Sequence, residues 1–431
     1  MQRVLVIDKN RAPLMPCHPA RARELLNKGK AKVFRRYPFT LILTEREGDE
    51  TQDIQIKVDP GSKTTGVALV ADFQRDITCI WAAALYHRGQ QIRDKLLTRS
   101  QLRHSRRNRK TRYRPARFNN RRRADGWLPS SLMSRVRNIE TWFKRLFRFA
   151  PITHIAQELV RFDTQLMQNA EISGVEYQQG ELAGYEVHEY LLEKWGHRCA
   201  YCSAVDVPLE IEHIIPKSRG GSNRVSNLTL ACHDCNQRKG NMTAAEFGFP
   251  DIQRQAKQSL KDAAAVNATR WRLFETLKAY GLPLEMGTGG MARYNRIRQG
   301  YPKAHWIDAA CVGESGGQVA IAPGHAPLAI KAHGHQSRLM CRPDKYGFPR
   351  TSAKQGRVQK GFQTGDMVKA IVTQGKKQGV YIGWVAVRSS GSFNITTSNG
   401  TVQGIRYHYC TPLHRSDGYS YRKGDALPPH A

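Results

Sequence analysis

Acidic residues are scarce in this chain: Asp and Glu number 36 against 68 Lys and Arg, so its 431 residues carry a formal charge of +32. That excess of one sign argues against a neutral metabolic enzyme and points to a polyanionic partner, above all nucleic acid. Long apolar runs are missing as well. None approaches 18 residues, so no transmembrane helix is expected, and the apolar stretch behind Met1 is too short for a signal peptide. No internal repeat is found. A core is not lacking: at 40% hydrophobic content the length suggests two to four domains.

A disulfide framework is also absent from the pattern. Of nine cysteines, Cys17, Cys79, Cys311, Cys341 and Cys410 are scattered, and the other four form Cys199-x-x-Cys202 and Cys232-x-x-Cys235. Such pairs indicate a reducing compartment and a metal site. Four thiolates in two knuckles can close a tetrahedral zinc site with no open position, which makes the zinc structural. Four unrelated core cysteines are the alternative.

The N-terminal segment reads as a strand at Val4–Ile7, a turn at Pro13–Pro16, a helix at 20–27 and a strand at 39–44. Period-two alternation of Ile54, Ile56 and Val58 with Gln55, Lys57 and Asp59 predicts a hairpin over 54–70. Residues 93–123 hold twelve Arg and two Lys against Asp94 alone, with basic residues at steps of three or four. This is a helical stripe, interrupted at Pro115. Residues 132–149 form an amphipathic helix, 152–159 a buried strand, 244–280 helices, Gly287–Gly290 a loop and 305–312 a helix. From residue 350 onward the pattern is all-β, and a small barrel fits it. Eleven basic residues against three acids lie there from Thr351, with Tyr381, Trp384, Phe393, Tyr407 and Tyr409 among them. These aromatics serve either nucleic-acid stacking or the barrel core.

Between the cysteine pairs lie Glu212-His213-Ile214-Ile215-Pro216, Gly220-Gly221-Ser222 and Ser226-Asn227-Leu228, and Asn236 follows the last cysteine. This segment resembles the HNH nuclease ββα-metal motif. The resemblance implies His213 as general base for the attacking water, Glu212 and Asn236 as ligands of one Mg²⁺, and Asn227 as the residue that positions the histidine loop. Glu212 stands where the motif usually has Asp. A zinc-ribbon binding module with an incidental histidine is the alternative.

A second set is dispersed: Asp59 on a strand, Glu158 on a strand, then His305 and Asp308 at i and i+3 on one helix face. In that order they resemble the RuvC branch of the RNase H fold, in which such residues hold two Mg²⁺ about 4 Å apart. The HNH-like segment lies between Glu158 and His305. The arginine-rich stretch resembles the bridge helix of type II CRISPR effectors, and Pro13-Leu14-Met15-Pro16 matches a hallmark of the compact, transposon-encoded IscB family. The resemblance covers residues 1 to about 315.

It implies an α/β multidomain RNase H-like core with an inserted ββα-metal domain and a C-terminal β-barrel. The divisions are an N-terminal module (1–52), RuvC-like parts (53–92, 126–165 and, with connecting helices, 246–345), a bridge helix (93–125), an HNH domain with linker (166–245) and the tail (346–431). The implied activity is RNA-guided cleavage of both strands of a DNA duplex. The HNH centre would cut the guide-paired strand and the RuvC-like centre the displaced one, in a prokaryotic cytoplasm at the nucleoid. One chain would bind one structured guide RNA, with Arg99, Arg103, Arg106, Arg107, Arg109 and Arg114 on its phosphates, and the tail would read a target-adjacent motif. A guide-independent HNH endonuclease of the homing or restriction kind, and a non-catalytic RNA-binding protein, remain as alternatives.

Overall fold

The computed structural model describes residues 2–108, 127–159, 187–188, 191–192, 194–257, 263–334, 344–346, 348–350 and 356–428. The first strands are β1 (Val4–Ile7), β2 (Pro13–Cys17), β3 (Ala31–Arg35) and β4 (Thr40–Leu43), with α1 (Pro19–Asn27) after β2. Their sheet order is β2-β1-β4-β3. Pro13–Pro16, expected as a turn, is therefore a strand. It lies at the sheet edge and pairs with β1, where a proline without an N–H interrupts no ladder.

The central sheet begins with β5 (Ile54–Pro60), β6 (Thr64–Asp72) and β7 (Ile77–Tyr86), a continuous antiparallel meander. The helices α2 (Gly89–Asn108) and α3 (Ser130–Phe147) follow, and β8 (Ile152–Glu158) then pairs parallel to β5. An insert contains β9 (Leu209–His213), β10 (Leu228–Cys232), α4 (His233–Lys239) and α5 (Asp251–Lys257). The chain returns through α6 (Ala263–Lys278) to β11 (Leu284–Gly287), parallel to β8. Then come α7 (Gly289–Arg298), α8 (His305–Ala310), the short β12 (Val319–Ala320) and β13 (Leu328–Ala332). The 287–290 stretch, expected as a loop, instead opens a helix: Thr288 caps it by accepting from Met291 N–H, a side-chain bond that offsets the low helix propensity of glycine.

Beyond lie β14 (Val358–Gln359), β15 (Phe362–Gln363), β16 (Met367–Val372), β17 (Gly379–Ala386), β18 (Ser392–Thr397), β19 (Gly400–Arg406), β20 (Cys410–His414) and β21 (Tyr419–Lys423). The tail sheet runs β19-β18-β17-β16-β20, antiparallel throughout, and among the described residues no pairing joins β19 to β20. Phe393 is in its core, whereas Trp384 and Tyr407 are exposed. The last strand, β21, leaves this sheet and pairs with β13, so the central path is β11-β8-β5-β6-β7-β13-β21.

Both faces of that sheet are covered. On one, Val136, Ile139, Trp142, Phe143 and Leu146 of α3 and Leu273 and Leu277 of α6 join Ile54, Ile56, Val58 and Leu69 in the main core. On the other, Trp306, Ile307, Ala309 and Ala310 of α8 pack on Ala68, Val70 and Ala82. The polar face of β5 is consequently buried. Lys57, at 0% exposure, donates from Nζ to Val312 O at 2.6 Å, and burial lowers its pKa to about 8. This ammonium meets the Val312 carbonyl just past the C-terminal end of α8, where a cation is favoured.

Candidate active centres

The parallel register of β5 and β8 sets Val58 opposite Gln157, which brings the strand-end residues Asp59 and Glu158 side by side. Helix α8 lies across β6, and His305, its first residue, reaches Asp59 with Nδ1–Oδ2 at 3.0 Å. Asp308 stands one turn further along α8, close enough that the charge of Asp59 acts on it. The four dispersed residues are therefore gathered at one end of the sheet.

Two of the three carboxylates there are each matched by a guanidinium. Arg270 of α6 donates from Nη2 to Glu158 Oε1 at 3.0 Å and from Nε to Pro60 O at 3.3 Å, and Arg296 of α7 donates from Nε to Asp308 Oδ1 at 2.8 Å. Burial opposes ionisation of Asp59. Hydrogen bonds to Glu158 and His305, with the charge of Arg270, outweigh it and hold the carboxyl below its usual range. Burial, reinforced by the charge of Asp59, raises Asp308 to about 6 despite Arg296. An oxygen-rich set with one imidazole suits hard divalent cations. The guanidinium groups already supply positive charge where such cations would neutralise converging carboxylates.

Gly66 makes this arrangement possible. It pairs with Asp59 across the hairpin, and a Cβ on it would meet His305 O at 1.8 Å and Trp306 N at 2.8 Å. Gly66→Ala is expected to push α8 off the sheet and destabilise the protein by ~1–3 kcal/mol, as overpacking does. Thermal melting checks this, and an unchanged midpoint would contradict the packing argument.

The insert is a β9–β10 hairpin followed by α4, with His213 opposite Leu228 and Glu212 opposite Thr229. Asn227, buried at the hairpin's far end, clamps the intervening loop: Oδ1 accepts from Ile215 N–H at 3.0 Å, and Nδ2 donates to Ile215 O at 2.9 Å and Ser222 O at 3.0 Å. Gly221 lies so close beneath it that a Cβ would meet Ile215 O at 1.7 Å. His213, partly exposed, bonds through Nε2 to Asn223 Oδ1 at 3.0 Å. Glu212 is 5% exposed with both oxygens engaged, by Tyr201 Oη at 2.6 Å and Lys239 Nζ at 2.5 Å. Asn236 reaches Glu210 instead, Nδ2 to Oε2 at 2.6 Å, and His233 bonds the other oxygen of Glu210 at 3.0 Å. The two residues expected to share a cation thus hold different partners here.

The cysteines fit zinc. The sulfurs of Cys199, Cys202, Cys232 and Cys235 all lie within 4.8 Å of one another, the only metal-capable group of its kind among the described residues. Burial raises the Cys199 thiol, but the backbone N–H groups of Cys202, Cys232 and Tyr201 overcome this and bring it to about 7, favouring the thiolate that a metal needs.

Of the arginines expected on nucleic acid, Arg99 and Arg103 are exposed on α2. Arg106 and Arg107 lie on the same helix, whose end at Asn108 precedes Pro115, and Arg109 and Arg114 fall outside the described residues. Sequence reasoning missed Tyr201, Asn223, Lys239, Arg270 and Arg296. Lys239 alone carried a signal, standing three residues after Asn236 on a short helix. No helix among the described residues is long and apolar enough to cross a membrane.

Comparison with known proteins gives two family matches. Residues 4–180 match the RRXRR protein model, and residues 199–251 match HNH endonuclease. No curated protein matches the chain. Among solved structures, Streptococcus thermophilus Cas9 in complex with the AGAA PAM overlaps at 12% identity and a TM-score of 0.20, covering 59% of this chain and 32% of that one. The same protein with the GGAA PAM gives 11%, 0.19, 59% and 32%. The chain thus spans about a third of these relatives, and overlaps at such TM-scores carry no weight for fold or function. An RRXRR region followed by an HNH endonuclease domain on one chain fits an IscB/Cas9-like nuclease.

Proposed function

We propose that the protein is an RNA-guided DNA endonuclease with two centres. A RuvC-like centre comprises Asp59, Glu158, His305 and Asp308, and an HNH centre comprises Glu212, His213, Asn227 and Asn236. The observation that carries this reading is the convergence of Asp59, Glu158, His305 and Asp308 at one end of the sheet, with the HNH domain inserted between Glu158 and His305. The strand path supports it: three antiparallel strands, then two added parallel on the side of the first, as in an RNase H-like sheet. The charge of +32 and the helix carrying Arg99 and Arg103 support a nucleic-acid partner. The proposed partners are one structured guide RNA per chain and a double-stranded DNA target, at a prokaryotic nucleoid. The proposed divisions are the N-terminal module, the split RuvC-like core, the arginine-rich bridge, the HNH insert and the tail.

Magnesium, two ions at the RuvC-like centre and one at the HNH centre, would supply Lewis-acid screening of the scissile phosphate. Asp59 and Glu158 orient the reacting groups at the sheet end, and His305 steadies Asp59. In the other centre His213 takes the proton of the attacking water. With Nε2–H donated to Asn223, the basic nitrogen is Nδ1. Asn227 fixes the loop that follows His213. Delegating sequence to base pairing leaves the protein to read backbone and a short adjacent motif, which is the proposed task of the tail.

Cleavage of a matched duplex, with and without co-expressed RNA and in Mg²⁺ or EDTA, tests this. A guide-dependent double-strand break is expected. RNA-independent cutting would favour a homing or restriction type of HNH enzyme, and binding without cutting a non-catalytic RNA-binding protein. A further expected outcome concerns α2: changing Arg103, Arg106 and Arg107 together to Ala should flatten the plot of log K for guide RNA against log salt by about two units, each phosphate contact contributing ~0.7–0.9. An unchanged slope would show that these side chains do not contact phosphate.

A further inference from the structure

The insert and the strand-end cluster are joined at one side chain. Arg296, 2% exposed, donates from Nε to Asp308 Oδ1 at 2.8 Å, from Nη1 to Tyr301 O at 3.1 Å, and from both Nη1 and Nη2 to Asp206 Oδ1 at 3.4 Å. Asp206 belongs to the knuckle turn that follows Cys202 and holds a left-handed φ of 57°. One turn earlier on α7, Arg293 donates from Nη2 to the carbonyl of the next residue, Val207, at 3.2 Å. One face of α7 thus grips the zinc knuckle turn and one carboxylate of the other centre together.

We propose that Arg296 is a positioning residue shared by the two centres, so that docking of the knuckle turn on α7 and cation binding at the strand-end carboxylates favour each other. This rests on the reading of that cluster as a metal-holding centre. The argument is one of charge. A cation taken up by Asp308 and a guanidinium beside it repel each other. Arg296 is buried and cannot escape to water, and a buried cation left without a carboxylate is strongly unfavourable. Asp206 is the other carboxylate within its reach. Its contacts are longer than that to Asp308 and its side chain is half exposed, so it has room to close. Release of Asp308 is therefore matched by tightening on Asp206. By linkage, whatever holds Asp206 in place also favours the cation.

Mn²⁺ binding to the full chain, followed by the electron paramagnetic resonance of free Mn²⁺, provides the test. Asp59→Ala identifies the strand-end share of the binding. If that variant binds as much Mn²⁺ as the unmodified chain, the metal-holding reading fails and takes this inference with it. Where an Asp59-dependent share exists, Asp206→Asn is expected to weaken it by about fivefold or more, the range of coupled sites. In an Arg296→Gln background the same substitution is expected to change nothing. Equal affinity in the unmodified chain and Asp206→Asn would overturn the inference. So would an equal loss in both backgrounds, since Asp206 would then act through space alone. The reciprocal measurement needs no substitution: Mn²⁺ should slow amide hydrogen exchange at residues 205–207, and unaltered exchange there with the Asp59-dependent site filled would also overturn it.

Discussion

Cys199→Ser or Cys235→Ser is expected to unfold the HNH domain and leave the central sheet folded. The two have separate cores. Leu191, Leu209, Leu228, Leu230, Cys199 and Cys235 belong to one, and α3, α6 and the central strands form the other. The insert core is small, and a structural zinc contributes apparent folding energy of ~10–16 kcal/mol in domains of this kind, more than so small a core supplies alone. The knuckle also reaches the chemistry directly, since Tyr201, between Cys199 and Cys202, donates to Glu212. Elemental analysis should give about one zinc per chain, lost in either variant. His213-dependent cleavage should disappear while Asp59-dependent nicking persists, reduced only by what docking of the knuckle contributes. Zinc-free protein with full double-strand cleavage would sink the structural-zinc assignment.

Asp59→Ala and His213→Ala are expected to leave opposite nickases. Asp59 stands at the meeting point of β5, β8 and α8, and its removal takes away a carboxylate beside Glu158 and the hydrogen-bond partner of His305. A loss of several kcal/mol of transition-state stabilisation corresponds to roughly 10³-fold in rate, confined to the displaced strand. Removing a general base such as His213 lowers the rate by ~10²–10⁴-fold, here on the guide-paired strand. Differential end-labelling of a matched duplex reads both strands in one experiment. If either variant still makes double-strand breaks at the unmodified rate, or both nick the same strand, the two-centre assignment is wrong.

The ease with which each part was read from sequence follows from how local its physics is. The cysteine knuckles act on neighbours within a few dozen residues, so their spacing reveals them, whereas Asn227 stood out only through the resemblance of its segment to the HNH motif. The strand-end residues are spread over some 250 positions, and only their order and residue types hinted that β5, β8 and α8 would bring them together. Arg270, Arg296 and Lys57 were invisible for another reason: on paper a buried cation looks like any surface charge, and its partner is set by tertiary packing. The same limit hid β7, buried along most of its length and so without alternation, and β21, whose Tyr-Ser-Tyr-Arg-Lys sequence alternates over only three residues before its charged end. What identifies β21 as a strand is the exposed edge of β13 beside it.

That return of β21 has a consequence for how the molecule can be rebuilt. The chain leaves the central sheet at His333–Gly334 and comes back at Gly418, and the backbone N–H groups of His333 and Gly334 both bond to Gly418 O, at 2.8 and 2.9 Å. From there β13 and β21 continue as an antiparallel ladder. Asp417, beside this neck, is tied to Arg145 of α3 and Arg35 of β3. The ends of the intervening stretch are already at hairpin distance, so a tight two-residue turn can close them. The stretch between Gly334 and Asp417 is therefore exchangeable as a cassette, provided Asp417 and its ion pairs are kept. It can be excised, or swapped for the corresponding stretch of a relative, without opening a strand of the central sheet, so the sheet that carries Asp59 and Glu158 stays intact.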